Sequence, residues 1–414
     1  HSMGSIPIIP SLPGYAIFQA YMIILAPGDP IDNAWVEILA MGVPGAILSG
    51  ELSGEYSGIQ YVHGDIFVDE GSEVNIAPGT QFLFRGPYDF IVDGVLTAIG
   101  DEENPIVFDN DVSSESDWRG LTINNQGNQT IFRHVRISGG KKFKGGGMRL
   151  NNSAPTLEYV EFSGNTAEAG GGGLIAEGGY GLILNNVTVK NNVAAESAET
   201  TLDGGVGAGG GISLELTYNV TIENSKIINN TSLIMEGGGL YITRSSGVTL
   251  QNVEITGNSA HMGGGLCVGE SSKIDIINST ISNNQSKTGG GLYIFDTEDA
   301  KLTNSILWNN TALPDTDGDG IGDAINAFVL AGAQELDINH TNSDAGCIDK
   351  TWGDDDNEFY YNPMSNETCD YFGSFWDTCN EDDSEGCEEN VTVIESSKVA
   401  VILSKCLGVF TMVK

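Results

Sequence analysis

Short runs of alternating hydrophobic and polar residues recur at a fixed spacing along most of this chain. Gly-Gly-Gly triplets begin at six positions, separated by 26, 38, 28, 26 and 26 residues: Gly145, Gly171, Gly209, Gly237, Gly263 and Gly289. An alternating tripeptide follows each triplet, and alternation with a period of two predicts a β-strand. A fixed period of this length predicts a solenoid. An inserted loop over residues 194–207 explains the one long step.

A second block closes each period and consists of an apolar residue, two further residues and an asparagine. The asparagines are Asn165, Asn192, Asn230, Asn258, Asn284 and Asn310. Stacked aliphatic columns predict a core, and stacked asparagines predict hydrogen-bonded ladders at turns. Three short strands per period predict an all-β fold, a right-handed parallel β-helix. With about 4.8 Å between stacked strands, residues 59–311 would form about ten coils, a rod of roughly 50 Å.

The pairing of these two blocks over residues 145–311 resembles the repeats of the polymorphic outer membrane proteins, which carry GGA[I/L/V] and FxxN blocks. The resemblance implies a secreted or cell-surface β-helix. This chain departs from that pattern because the third residue of each triplet is glycine instead of alanine. The motif is specific for fold, whereas one solenoid fold can host many activities.

The pattern divides the chain into four parts. Residues 1–55 are predicted to cap the first coil or to take part in assembly, and residues 56–312 form the β-helix. Residues 313–330 form a calcium-binding loop and linker, and residues 331–414 form an acidic, cysteine-containing region with a strand-like tail. That tail either folds back on the rod or pairs with a neighbouring copy, which would allow head-to-tail assembly.

The charge balance narrows the possible partners. Asp and Glu number 56 against 18 Lys and Arg, giving a formal net charge of −38. The electrostatic field of such a negative charge repels nucleic acid and attracts divalent cations, so we expect no nucleic-acid partner. The longest apolar run, residues 15–26, is too short to span a bilayer, so no transmembrane segment is predicted.

Five of the six cysteines lie between Cys347 and Cys406, and the sixth is Cys267. This clustering favours disulfides in an oxidising, extracellular or cell-surface location. Metal-thiolate binding is the alternative, although the chain contains no Cys-x-x-Cys pair.

The sequence DTDGDGIGD, which begins at residue 315, has the spacing of a calcium loop. Oxygen ligands at loop positions 1, 3, 5, 7, 9 and 12 resemble those of EF-hand-like and thrombospondin type 3 loops. The candidate Ca²⁺ ligands are Asp315, Asp317, Asp319, the Ile321 carbonyl, Asp323 and Asn326. An acidic linker without metal is the alternative.

The outward residues of the predicted strands offer few groups for catalysis. The middle residues of the six tripeptides are expected to be exposed and contain no carboxylate: Arg149, Ile175, Ser213, Tyr241, Cys267 and Tyr293. The densest basic patch is His134 with Arg133 and Arg136, and Asp117 and Arg119 lie one coil earlier. We therefore expect a structural or adhesive rod that binds a glycan, a protein or copies of itself. The alternative is a polysaccharide lyase or glycoside hydrolase acting on one face.

Overall fold

The structure, a computed structural model, describes residues 46–114, 116–124, 129–194, 208–233, 236–312, 328–331, 336–343, 346–352 and 359–360. Every regular element in these ranges is a β-strand. No helix in this part of the chain is long and apolar enough to cross a membrane.

Three parallel sheets wind around one axis. The sheet that carries the residues after the Gly triplets, here called the triplet sheet, contains the end of Ile59–Val68 and then Phe90–Val92, Leu121–Ile123, Met148–Asn151, Leu174–Glu177, Ile212–Glu215, Leu240–Thr243, Leu266–Gly269, Leu292–Phe295 and Phe328–Ala331. The second sheet contains Gly54–Tyr56, Glu73–Ile76, Val95–Ile99, the first halves of Ile131–Ser138 and Thr156–Ser163, Ile183–Asn185, Tyr218–Glu223, Ser246–Gln251, Ser272–Ile277, Glu298–Thr303 and the start of Leu336–Ser343.

The third sheet completes each coil. It contains Ala46–Glu51, the start of Ile59–Val68, Gln81–Phe84, Ile106–Asn110, the second halves of Ile131–Ser138 and Thr156–Ser163, Thr188–Lys190, Lys226–Ile228, Glu254–Thr256, Thr280–Ser282, Ile306–Trp308 and the end of Leu336–Ser343. Two-residue strands run beside it at Lys141–Lys142, Thr166–Ala167, Val193–Ala194, Thr231–Ser232, Gln285–Ser286 and Thr311–Ala312. The predicted parallel β-helix is confirmed, with about nine turns.

The core is a single column of inward side chains. The first and third residues of each tripeptide point inward as predicted, and Leu240 and Ile242 are fully buried. In the earlier coils the core is aromatic, with Phe82 stacked on Phe108 at a centroid distance of 5.0 Å. The register resumes after the insertion, since Leu174 pairs directly with Ile212.

The glycine triplets are explained by crowding at three successive positions. Gly237 has a φ of +65°, and a Cβ there would meet the Leu240 carbonyl and the Cβ of Tyr241. A Cβ on Gly238 would meet backbone of the next coil, and one on Gly239 would meet the Asn258 amide at 2.9 Å. The chain therefore doubles back over its own strand where a side chain has no room, which accounts for glycine at the third position.

The asparagine that closes each repeat forms the predicted ladder, and it does so inside the rod. Asn258 Nδ2 donates to Asn284 Oδ1 at 3.0 Å, and its Oδ1 accepts from Asn230 Nδ2 at 3.0 Å. The ladder runs without a break from Asn165 to Asn310. Because all its members are buried, each side-chain amide replaces water as the partner of the backbone at the turn.

The parallel stack continues beyond residue 312 and is then closed by antiparallel pairing. Phe328–Ala331 pairs in parallel with Leu292–Phe295, and Leu336–Ser343 continues the other two sheets. Gly346–Trp352 then pairs antiparallel with Leu336–Ser343. Phe359–Tyr360 does the same with Phe328–Ala331.

Candidate functional site

The predicted calcium ligands, residues 315–326, lie outside the described residues. So do residues 1–45 of the capping segment predicted over residues 1–55, and the tail after residue 360. Within the described ranges, no group of three or more His, Cys, Asp or Glu side chains could hold a metal ion. The candidate site residues of the described ranges are therefore the side chains on the outer faces of the sheets.

The expectation that the middle residues of the tripeptides are exposed was wrong for half of them. Ile175, Ser213 and Cys267 point away from the core but are fully buried. The reason is the doubling back at each triplet, which places Gly171 against Ile175 and Gly263 against the Cβ of Cys267. The outer face of the triplet sheet is therefore covered along one side by its own chain.

The predicted basic patch is divided among separate partners. His134 lies at the corner between the second and third sheets, where its ring stacks on Tyr159 at a centroid distance of 4.7 Å. Arg133 pairs with Glu158, and Arg119 pairs with Asp89 beside the triplet sheet. These residues therefore do not form one catalytic centre.

A continuous line of polar side chains follows the last position of the triplet strands, and we call it the outer-face line. Residues in register along it are Asp93, Asn124, Asn151, Glu177, Glu215 and Thr243. Asn124 Nδ2 donates to Asp93 Oδ1 at 2.7 Å, and Asn151 Nδ2 donates to Asn124 Oδ1 at 3.0 Å. Beyond Thr243 the line reaches Gly269, whose Cα lies beneath the ring of Phe295.

The middle of the line is a charged cluster around Lys144. Lys144 Nζ lies 2.9 Å from Glu177 Oε1 and 3.6 Å from Glu215 Oε2, while Arg149 Nε lies 2.6 Å from Glu177 Oε2. The carboxylates are largely buried, with 22% of the Glu177 side chain and 14% of Glu215 exposed. Burial alone would raise the pKa of Glu177, but Lys144 and then Arg149 hold it below its usual value.

Beside this cluster lie three groups that are poorly solvated. Glu236 Oε2 is buried without a hydrogen-bond partner among the described residues. Burial raises the pKa of Tyr241 well above its usual value, and the charges of Glu236 and Glu215 add to this effect. Burial and then Glu236 likewise raise the pKa of the Cys267 thiol. At neutral pH both groups are therefore proton-bearing, and Tyr241 can act as a hydrogen-bond donor.

A second ionic group flanks the same line on the N-terminal side. Lys142 Nζ lies 2.7 Å from Asp89 Oδ1 and 2.7 Å from Thr122 Oγ1. Thr122 occupies the position of Arg149 one coil earlier. Charged and amide groups thus extend along the face for five coils, from Asp93 to Glu215.

The sequence contained a signal for this line that we did not use. Asn151, Glu177, Glu215 and Thr243 each stand six residues after the first glycine of a triplet. Reading that column would have found both carboxylates. The role of Lys144 could not be read in the same way, because it precedes a triplet and reaches Glu215 two coils away.

The comparisons with known proteins address the fold. The family described as "Right handed beta helix region" matches residues 94–262 and 201–362. No curated protein matches this sequence.

Three solved structures are similar at low identity. The A-module of mannuronan C-5 epimerase AlgE4 of Azotobacter vinelandii is 12% identical, covering 72% of this chain and 88% of that chain, with a TM-score of 0.30. The periplasmic alginate epimerase AlgG is 11% identical, covering 69% and 76%, with a TM-score of 0.24. The Dettilon tailspike protein is 11% identical, covering 66% and 56%, with a TM-score of 0.29. Likeness this distant carries no inference about activity.

Proposed function

The chain belongs to the right-handed β-helix family, and we propose that it is a secreted or cell-surface rod that binds a polysaccharide along the outer-face line of its triplet sheet. The observation that carries the proposal is the polar line itself. Six successive coils present a hydrogen-bonding side chain at the same register position, about 4.8 Å apart. A ligand built of repeating units can meet one rung after another.

The exposure of the line decides where a ligand can bind. Asp93 is exposed, Glu177 and Glu215 are mostly buried and Thr243 is buried, so the line becomes less exposed towards Thr243. The rungs that a ligand can reach therefore run from Asp93 to the two carboxylates.

Catalysis on the same face is the second candidate function, favoured by one observation. Because Glu177 and Glu215 contact the same Lys144 nitrogen at 2.9 Å and 3.6 Å, their nearest oxygens are at most about 6.5 Å apart. Paired carboxyl groups about 5–10 Å apart serve as acid and base in glycoside hydrolases. A general acid, however, needs a raised pKa, and that of Glu177 is lowered. Binding therefore accounts for the site better than hydrolysis.

The test uses a line variant and a matched control. Asn124→Ala with Asn151→Ala removes two hydrogen-bonded rungs, and Asn252→Gly with Asn278→Gly changes two asparagines at the corner between the second and third sheets, away from the line. Affinity electrophoresis in gels containing neutral or acidic polysaccharides should show retardation that the first variant weakens about tenfold and the control leaves unchanged.

Two outcomes would contradict this reading. Equal binding by both variants, or no retardation by any polysaccharide, would exclude the outer-face line as a glycan site. Release of new reducing ends or unsaturated sugars during the same incubation would support the enzymatic alternative. Loss of that activity in Glu215→Gln would then place the reaction in the Lys144 cluster.

Calcium is a further part of the proposal and rests on the spacing of Asp315, Asp317, Asp319, Ile321, Asp323 and Asn326. A bound ion there would stabilise the chain between Leu292–Phe295 and Phe328–Ala331. We expect a chelator to lower the melting temperature of the protein, and Asp317→Asn with Asp319→Asn to abolish that response. An unchanged melting temperature in chelator would contradict the calcium site.

Head-to-tail self-assembly and disulfides among the C-terminal cysteines remain proposals of the same kind. Electron microscopy of purified protein tests the first, since only assembly produces filaments. Mass spectrometry of non-reduced peptides tests the second.

A further inference from the structure

A second surface feature lies where the chain turns from the triplet sheet into the second sheet. Successive coils place a tripeptide at this turn: residues 178–180, 216–218, 244–246, 270–272 and 296–298. The last four surround a shallow, open cavity of about 430 Å³. We call the whole feature the turn trough.

The last four coils contribute the same three parts to the trough. The first residue has a left-handed backbone, with φ between 42° and 55° at Leu216, Arg244, Glu270 and Asp296. The second is a buried Ser or Thr, and these hydroxyls are hydrogen-bonded from coil to coil, as at Thr217 and Ser245. The third is Tyr218, Ser246, Ser272 or Glu298, each of which lines the cavity. The three parts therefore repeat about every 4.8 Å along the trough.

One end of the trough is aromatic. Tyr180 and Tyr218 occupy adjacent coils and form a parallel bridge, so their backbones lie one strand spacing apart. Both side chains are well exposed, Tyr180 to 66% and Tyr218 to 48%. Leu216 and Ile183 are also exposed close to them in sequence. Exposed apolar surface gathered in this way marks an interaction site.

The other end is acidic and unpaired. Glu270, Asp296 and Glu298 line the cavity together with Arg244. Within the described part of the chain, no ion pair engages these four side chains. This contrasts with the Lys144 cluster, where Glu177 is held by two cations. Side chains that are charged, close and unpaired remain available to a ligand.

We propose that the turn trough binds an extended oligosaccharide of neutral or amino sugars. Tyr180 and Tyr218 stack on sugar rings, and the half-buried Ser246 and Ser272 and the carboxylates accept hydrogen bonds from sugar hydroxyl or ammonium groups. Three acids against one arginine disfavour a polyuronate. This inference does not depend on the outer-face line, because it concerns different residues.

The repeat of the trough favours a glycan over a basic peptide. A sugar unit in a 1,4-linked chain advances by close to one strand spacing, so each unit can meet the same parts on each coil. An extended peptide rises about 3.3 Å per residue and falls out of step with rungs about 4.8 Å apart.

The experiment is isothermal titration calorimetry with six-unit oligomers of glucosamine, N-acetylglucosamine, glucose and galacturonate, and with hexalysine. Tyr180→Ala with Tyr218→Ala should raise the Kd for the glucosamine and N-acetylglucosamine oligomers about tenfold. Tyr159→Ala is the matched control, because Tyr159 is 50% exposed and lies at a different corner. Glu270→Gln with Glu298→Gln should weaken binding of the glucosamine oligomer more than binding of the neutral oligomers.

Each alternative result overturns the proposal in a recognisable way. Binding of galacturonate in preference to the other sugars would contradict the charge argument, and tighter binding of hexalysine would identify a peptide site. If Tyr159→Ala weakens oligosaccharide binding as much as Tyr180→Ala with Tyr218→Ala does, the tyrosine pair is excluded as the stacking site. If Asn124→Ala with Asn151→Ala weakens these hexamers as much as the tyrosine variant does, the ligand lies on the outer-face line. If no oligomer binds, the turn trough is not a glycan site. That result would not decide whether the outer-face line binds a polysaccharide, which the electrophoresis assay tests separately.

Discussion

Replacement of Asn258 by alanine tests the inner asparagine ladder most directly. The Asn258 side chain takes part in four hydrogen bonds. Its Oδ1 accepts from the Asn230 backbone amide at 2.8 Å and from Asn230 Nδ2 at 3.0 Å. Its Nδ2 donates to the Ile227 carbonyl at 2.9 Å and to Asn284 Oδ1 at 3.0 Å. The residue is fully buried, so water cannot replace these partners without opening the turn.

The magnitude follows from those four bonds. Asn258→Ala leaves the Asn230 backbone N–H buried without a hydrogen-bond acceptor, which costs about 1–3 kcal/mol. Loss of the other three hydrogen bonds costs about 0.5–1.5 kcal/mol each. The sum predicts a loss of about 2.5–7.5 kcal/mol in the free energy of unfolding. Because a solenoid is stabilised mainly by contacts between neighbouring coils, the loss should be concentrated in the coils next to Asn258.

Hydrogen exchange and urea denaturation measure the two parts of this prediction. Exchange should accelerate for amides of the neighbouring coils, and the urea midpoint should fall. The control is Asn252→Gly in the same coil. Asn252 is half-buried at the corner between the second and third sheets, where its side chain donates one hydrogen bond to Asn224 Oδ1, and glycine adopts its φ of +56° freely. If the two variants differ by less than about 1 kcal/mol, the reasoning that buried ladder bonds stabilise the turn is refuted.

Three further predictions concern the triplets, the charged cluster and the buried thiol. Gly238→Ala should lower the free energy of unfolding by at least about 3 kcal/mol, because the new Cβ would meet backbone of the next coil. The control is Gly164→Ala, whose Cβ would face open space and which should cost about 1–2 kcal/mol. Urea titration compares the two variants. Lys144→Met should destabilise the protein by about 1–2 kcal/mol at pH 7. Because the pKa of Glu177 is lowered in the folded state, its contribution is present above the unfolded value of about 4.3 and is lost as the pH falls through the folded value. The difference in stability between the two proteins should therefore shrink progressively below about pH 4.3. Cys267 is buried and its pKa is raised, so alkylation of native protein followed by peptide mass spectrometry should leave it unmodified, and modification at the rate of an unfolded thiol would contradict its burial.

The repeat made the fold predictable, because strand alternation, triplet spacing and the closing asparagine each specify the same coil. Leu240 and Ile242 occupy the predicted inward positions, and Asn258 forms the predicted ladder at a turn. The covering of Cys267 was not predictable from alternation, which describes only the two faces of a strand. It arises from the path of the chain before the strand, where Gly263 takes a φ of +60° and folds back over the face.

The candidate sites were harder to predict because they depend on contacts between coils. Lys144 and Glu215 meet only because the register resumes after the inserted loop, which adds residues to the sequence separation but none to the stack. The turn trough was hidden for another reason. Leu216 and Arg244 adopt the left-handed backbone, a conformation for which sequence reasoning looks to glycine and asparagine.

The direction of the hydrogen bonds in this rod has a mechanical consequence. Bonds between coils run along the long axis, so a pull on the rod ends would load all bonds of one interface at once and the successive interfaces in series. The rod would then be only as strong as its weakest interface. The side-chain ladder from Asn165 to Asn310 reinforces five consecutive interfaces. Under tension we therefore expect rupture before Asn165 or after Asn310, with the coils between them remaining folded as one unit.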